Sequence, residues 1–284
     1  MSATTVSPSH ATLPSLFVSH GAPLFAVDAG TTGPALQAWG QALRAQYPQL
    51  RGIVIMSPHW MARMPAVMTG ERPATWHDFG GFPAQLYQLQ YSAPGQPALA
   101  EEVLALMKAA GMPVQGDAAR PFDHGAWVPL MHLFPEADVP VVQVALPAGA
   151  DAADVYAMGA VLRPLREQGV LIVGSGSMTH NLAEFFGGAR EPAPYVVEFS
   201  RWIESALQRR DVPALLAWRT QAPHAHRAHP TDDHFLPLFF TLGAAGDDWA
   251  MDYLSREVMY SMLAMDAFAL GGSPAPAASP AVAA

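Results

Sequence analysis

The chain has 284 residues, enough to bury a sizeable core, and 51% hydrophobic against 14% charged residues is the balance of a globular rather than a disordered protein. A net charge of −9 with no Lys/Arg cluster argues against a nucleic-acid partner. With no cysteine, disulfides, thiolate metal sites and a cysteine nucleophile are excluded.

In chain order, residues 1–12 are Ser/Thr-rich and carry no basic segment followed by an apolar one, so no secretory signal is visible. No apolar run approaches the roughly 20 residues that span a bilayer, and the expectation is a soluble, cytoplasmic protein without a membrane partner. Leu16-Phe17-Val18, Gly52 to Met56, Val139 to Leu146 and Val170 to Val173 read as short β-branched strands buried on both faces. Between them, helical spacing marks Pro34 to Tyr47, Pro97 to Ala110, Ala153 to Glu167 and Tyr195 to Leu207. This alternation predicts a single α/β domain over 13–270, with a largely parallel central sheet and helices on both faces. Residues 1–12 and 271–284, the latter Gly/Pro/Ala/Ser-rich, read as flexible tails.

Three of these strands run into a small turn residue and a histidine: Ser19-His20-Gly21, Ser57-Pro58-His59-Trp60 and Gly174 to His180. Ligands of open α/β sheets bind outside the carboxyl ends of the strands, so His20, His59 and His180 are candidates to converge there. Imidazole suits zinc, iron and copper, and without cysteine a metal site here must use N and O ligands. His77-Asp78-Phe79-Gly80-Gly81-Phe82-Pro83 is a glycine-hinged aromatic loop, either a lid over an aromatic substrate or a simple turn. In Asp123-His124-Gly125, Asp123 is a candidate helix cap and His124 a candidate proton donor or acceptor. His224, His226 and His229 read as a solvated loop. His234 follows Asp232-Asp233, where either Asp could cap a helix holding His234 in its first turn.

Together these segments resemble the DODA-type extradiol aromatic ring-opening dioxygenases, the class III or LigB-like enzymes that include the 4,5-DOPA extradiol dioxygenases. The resemblance runs from about Pro14 to Leu270, with the histidine motifs and the His77-to-Pro83 loop in the right order. It implies a non-haem Fe(II) enzyme, with Zn(II) able to take the same site. Such an enzyme inserts O₂ into a small catechol-type diol next to its two hydroxyls. Carried over by motif, His20, His59 and His234 are the implied metal ligands. His180 is implied as either a further ligand or the acid/base, and His124 as an active-site catalytic histidine. His77, Phe79 and Trp60 are candidate substrate contacts.

Fe(II) must keep open positions for diol and O₂, which three facial protein ligands leave. The LigB branch uses two histidines and a carboxylate, whereas the third position here is His234. An all-histidine set also resembles a catalytic zinc site, so a zinc-dependent hydrolase stands as an alternative. A Memo-like binding protein without catalysis is a second. The sequence leaves the particular catechol and the oligomeric state open, a homo-oligomer included.

Overall fold

The apolar runs do form strands, and the two that carry site histidines or reach toward them extend past their hydrophobic stretch. The computed structural model describes residues 12–185 and 191–271. Of the proposed tails, only Thr12 and Gly271 fall among them, and the rest lies outside the described residues. The strands are β1 Ser15–Ser19, β2 Gly52–Ala62, β3 Ala66–Met68, β4 Gln115–Asp117, β5 Val141–Pro147, β6 Val170–Gly176, β7 Met251–Ser255, β8 Val258–Met259, β9 Leu263–Ala264 and β10 Ala267–Leu270. The helices are α1 Thr32–Gln46, α2 Pro97–Ala109, α3 His124–Leu133, α4 Ala152–Leu162, α5 Pro194–Gln208, α6 Val212–Leu216, α7 Trp218–Gln221, α8 Ala225–Ala228 and α9 Pro237–Ala245. Among the described residues no helix is long and apolar enough to cross a membrane.

The main sheet has the order β4-β3-β5-β2-β6-β1-β10-β7. Its centre, β5-β2-β6-β1, is parallel, while β10 pairs antiparallel with β1 and β7 antiparallel with β10. Side-chain alternation along the central strands sorts the core into two layers. Phe17, Val54, Met56, Val142, Val144 and Ile172 face one layer with the apolar sides of α2, α4, α5 and α9. Leu16, Val18, Ile53, Ile55, Leu171 and Val173 face the other, with Leu36, Trp39 and Leu43 of α1 and Trp127 and Leu130 of α3. The single α/β domain with helices on both faces is therefore the observed fold.

Local chemistry explains the departures from the sequence reading. Pro58 does not end β2. Lacking an N–H, it sits in a break of the β2–β5 ladder between Ser57 and Met61, after which pairing resumes at Met61 and Leu146. The helix read as continuing to Glu167 stops being α-helical at Leu162, because Pro164 has no N–H for the next turn, and a 3₁₀ segment Arg163–Gln168 follows. α9 begins at Pro237, where proline suits the first turn, so neither Asp232 nor Asp233 is its N-cap and His234 lies in the preceding turn. That turn is pulled against β6: Ser177 N donates to the His234 carbonyl at 2.7 Å. A Cβ on Gly176 would lie 3.3 Å from Pro237 Cγ and 3.4 Å from the His234 carbonyl carbon, so glycine permits the approach.

Asp266, between β9 and β10, is buried and its Oδ1 accepts from Tyr253 Oη at 2.5 Å. Burial pushes its carboxyl up to about 7, with Glu204 adding in the same direction and the Tyr253 hydrogen bond opposing it. The unfolded group ionises near its ordinary value, while the folded one holds its proton until about pH 7. Stability is therefore lost as pH rises across that interval, by at most about 4 kcal/mol for a shift of this size. Asp266→Asn keeps the acceptor for Tyr253 and removes the titration. Urea unfolding is expected to show little difference between variant and parent near pH 4 and a more stable variant at pH 8.

Candidate active site and metal centre

Five histidines from five chain segments meet near the carboxyl ends of the parallel strands. His20 directly follows β1, and its N–H donates to the Gly176 carbonyl at 2.9 Å, prolonging the β1–β6 ladder by one bond. His59 is in β2 itself. His124 opens α3, whose N-cap Asp123 accepts from Ala126 N at 3.1 Å, so the expected cap is observed. His180 is tied by its N–H to the Ala228 carbonyl at 2.8 Å, and His234 sits in the turn before α9.

The ring contacts fix which nitrogen each histidine presents. Ser175 Oγ donates to the Gly125 carbonyl, so it accepts the proton on His20 Nδ1 across 3.0 Å. Asp233 Oδ2 accepts from His234 Nδ1 at 2.5 Å. Asp78 serves two rings: Oδ1 accepts from the backbone N–H of His124 at 2.8 Å and from its Nδ1 at 3.0 Å, and Oδ2 lies 3.5 Å from His59 Nδ1. With Nδ1 hydrogen-bonded, His20, His124 and His234 offer Nε2 lone pairs, an arrangement typical of metal-bound histidine. His59 Nε2 lies 3.2 Å from His20 Nε2 and 3.3 Å from His234 Nε2. Two nitrogens bound at about 2.1 Å to one ion lie about 3.0–3.4 Å apart for bond angles between square and tetrahedral. His20, His59 and His124 also form a group whose ligating atoms lie within 4.8 Å of one another.

The protonation states agree with this donor set. Burial, followed by the neighbouring His59, His234, His124 and His180, holds His20 well below the ordinary imidazole range. Burial with His124 and His234 does the same to His59, against a weaker opposing pull from Asp78. Asp78 is itself lowered: burial works to raise it, and the hydrogen bonds and charge of His124 outweigh that. Asp233 is lowered for the same reason, with His234 as partner. Nε2 atoms crowded to these distances, with burial disfavouring the charged form of His20 and His59, suit a divalent cation shared between them. The donor set fits such an ion.

His180 is placed differently. Its ring lies flat on His234, centroids 3.6 Å apart and planes 4° from parallel. A nitrogen lone pair points along its own ring plane, so the lone pairs of these two stacked rings run in parallel planes and do not converge on one point. Burial first, then His234 and His229, pushes His180 down to about 3.

A cavity of about 330 Å³ opens on the cluster, lined by His59, His124, His180 and His234. The rest of its lining includes Phe79, Phe82, Leu182, Phe185 and Leu263. The glycine-hinged loop folds inward here, with the Phe79 ring edge-on to His124 at 5.7 Å. The loop's His77 instead bonds the Leu89 carbonyl at 3.0 Å, and Trp60 is buried beneath Arg120, whose guanidinium carbon is 4.8 Å from the ring centroid. Neither is among the residues lining the cavity. His229, read as part of a solvated loop, is fully buried: its Nε2 donates to the Met178 carbonyl at 2.9 Å, and Phe199, Trp218 and Phe235 surround the ring. The carboxylates that orient the rings, Asp78 and Asp233, were missed as such from sequence. Both are sequence neighbours of a singled-out histidine, which was the available signal.

Comparison with known proteins decides the family. Residues 14–268 match the family described as the catalytic LigB subunit of aromatic ring-opening dioxygenase. The chain belongs to the LigB family. It is 39% identical over 234 residues to a 4,5-DOPA dioxygenase extradiol of Beta vulgaris, covering 82% of this chain and 87% of that protein. A 4,5-DOPA dioxygenase extradiol of Escherichia coli K12 is 36% identical over 236 residues, covering 82% and 85%. The crystal structure of an uncharacterized Escherichia coli K12 protein superposes with a TM-score of 0.76 at 29% identity, covering 91% of this chain and all of that one. This LigB chain thus has the fold and ring-opening dioxygenase ancestry that its motifs imply, together with a three-histidine group of ligating geometry.

Gly125 sits inside the cluster. A Cβ there would meet Ser57 Oγ and lie 2.9 Å from His59 Cδ2 and 3.2 Å from His20 Cε1. Gly125→Ala is expected to displace His59 and His20 and to weaken Zn(II) binding by roughly tenfold or more, the scale of orienting-residue defects. Titration calorimetry on the folded variant checks this.

Proposed function

We propose that this LigB chain is a non-haem Fe(II) extradiol dioxygenase that opens a catechol-type ring with O₂ beside its two hydroxyls. The observation that carries the reading is the set of Nε2 atoms of His20, His59 and His234, spaced 3.2 and 3.3 Å through His59, at an apolar cavity of about 330 Å³ with room for a substituted aromatic ring. Those three histidines would hold the ion, which when bound would bring diol and O₂ together and remove the spin barrier between them. His20, His59 and His124 are an alternative triad of similar compactness. The 3.3 Å separation of His234 Nε2 from His59 Nε2, the spacing of two nitrogens on one ion, favours the first set.

The chain's own residues supply the rest. His180, neutral and out of the plane of His234, is positioned to take a proton from a substrate hydroxyl rather than to act as a ligand. His124, its Nδ1 held by Asp78 and its ring on the cavity lining, would serve as the second proton-transfer group. Phe79 walls the cavity, with the His77 ring edge-on behind it at 5.8 Å.

Anaerobic reconstitution with Fe(II), followed by air and a catechol, is expected to yield a coloured product heavier than the substrate by two oxygen atoms. Product formed without O₂ would instead indicate the zinc-type hydrolase that an all-histidine site also suits. His59→Ala is expected to lose metal uptake and all turnover. His124→Ala is expected to retain the metal and lose turnover by about 10²-fold or more, the usual scale for a proton-transfer group. Metal analysis beside steady-state rates separates the two.

A further inference from the structure

His229 is a buried histidine to which the ring-opening reading gives no task. Its side chain fills an aromatic pocket, with the ring centroids of Phe199 and Trp218 each 5.6 Å away and that of Phe235 at 4.8 Å. Phenylalanine would fill the same space without the cost of drying two ring nitrogens. What the imidazole adds is a bond from Nε2 to the Met178 carbonyl at 2.9 Å. Burial, against the pull of that bond, pushes the ring down to about 3, so it is neutral and carries one ring proton. A carbonyl only accepts, so the proton sits on Nε2.

The bond lands on the segment that carries His180. β6 ends at Gly176, and Ser177 to His180 beyond it is irregular chain held by bonds from elsewhere in the fold. Met178 N donates to Ser19 Oγ at 3.0 Å, and the His180 N–H donates to the Ala228 carbonyl at 2.8 Å. Asn181 Nδ2 donates to the Arg227 carbonyl at 2.8 Å. With the His229 bond, residues 227–229 therefore grip residues 178–181 at both ends and in the middle. The same imidazole packs on Phe235, the neighbour of His234 in sequence. His229 thus ties the chain leading into His180 to the chain leaving His234, and those two rings stack at 3.6 Å.

We infer that His229 is a positioning residue: through the Met178 carbonyl it holds the His180 ring in its stack on His234. This rests on the reading of His180 as a proton-transfer group. Without the Nε2 donor, the Met178 carbonyl is a buried acceptor that has lost its partner, and the peptides leading to His180 turn to find another. The His180 imidazole then leaves the place from which it reaches a substrate hydroxyl. Phenylalanine at 229 keeps the packing on Phe235, so His234 stays in place with the other ligands. Misplacing a proton-transfer group in this way lowers kcat rather than raising KM.

Two variants of the full chain separate the bond from the packing. His229→Phe keeps the ring volume and loses the donor, whereas His229→Gln keeps an N–H donor of similar reach. With Fe(II), air and 4-methylcatechol, His229→Phe is expected to lose kcat at least about tenfold, with KM and the Zn(II) Kd each within about threefold of the parent. His229→Gln is expected to keep kcat within about threefold. In a His180→Ala background, His229→Phe is expected to cost nothing further, because both changes act through one group. Parent-like kcat in His229→Phe, or its full loss repeated in the His180→Ala background, would overturn the inference. Should His229→Phe not fold, His229→Gln decides: kcat as low as that of His180→Ala overturns the inference, and parent-like kcat upholds it. A crystal structure of the Zn(II)-loaded His229→Phe chain reads the geometry without turnover. The His180 ring is expected to have left its 3.6 Å stack, and an unmoved stack would overturn the inference. A displaced ring, found where the Fe(II)-loaded parent opens no catechol, would overturn the ring-opening reading alone.

Discussion

The Nε2 atoms of His20, His59 and His234 crowd together at 3.2 and 3.3 Å around His59, an arrangement that suits something positive between them. Everything around them serves to keep them that way. Burial disfavours protonation of His20 and His59, Ser175 and Asp233 hold Nδ1 of His20 and His234, and Asp78 lies 3.5 Å from that of His59. The parallel strands β1, β2 and β6 supply rigid posts whose ends cannot drift apart without breaking ladder bonds. The centre of the sheet carries His20 and His59, and the start of α3, the segment after β6 and the turn before α9 bring the other three to it.

The histidines were legible in the sequence because continuous apolar runs announce buried strands, and a polar residue just past such a run stands at the sheet edge. Their partners were not. Asp78 belongs to an irregular loop, and no local spacing ties it to His124 and His59. Likewise Glu257, from the distant C-terminal region, accepts from the N–H groups of Thr31 and Thr32 at the start of α1, a cap that no local pattern announces.

The antiparallel strands β7 and β10 were invisible for a related reason. Met251–Ser255 and Ala267–Leu270 are short and lack a strong period, and β10 is a strand because β1 offers it a free edge. His229 misled in the opposite direction: surrounded in sequence by polar residues, it is folded under an aromatic cluster that only the tertiary structure assembles. Proline was ambiguous too. Pro58 interrupts a ladder without ending a strand, whereas Pro237 does set a helix start.

The five clustered histidines stand at 20, 59, 124, 180 and 234, spread along most of the chain. No short fragment carries the whole set, so the cluster comes into being only when the sheet has closed and the turn before α9 has docked on β6. A captured ion then acts as a bolt across the finished domain: its binding energy is stability of the entire tertiary structure, and chelation draws on that same reserve.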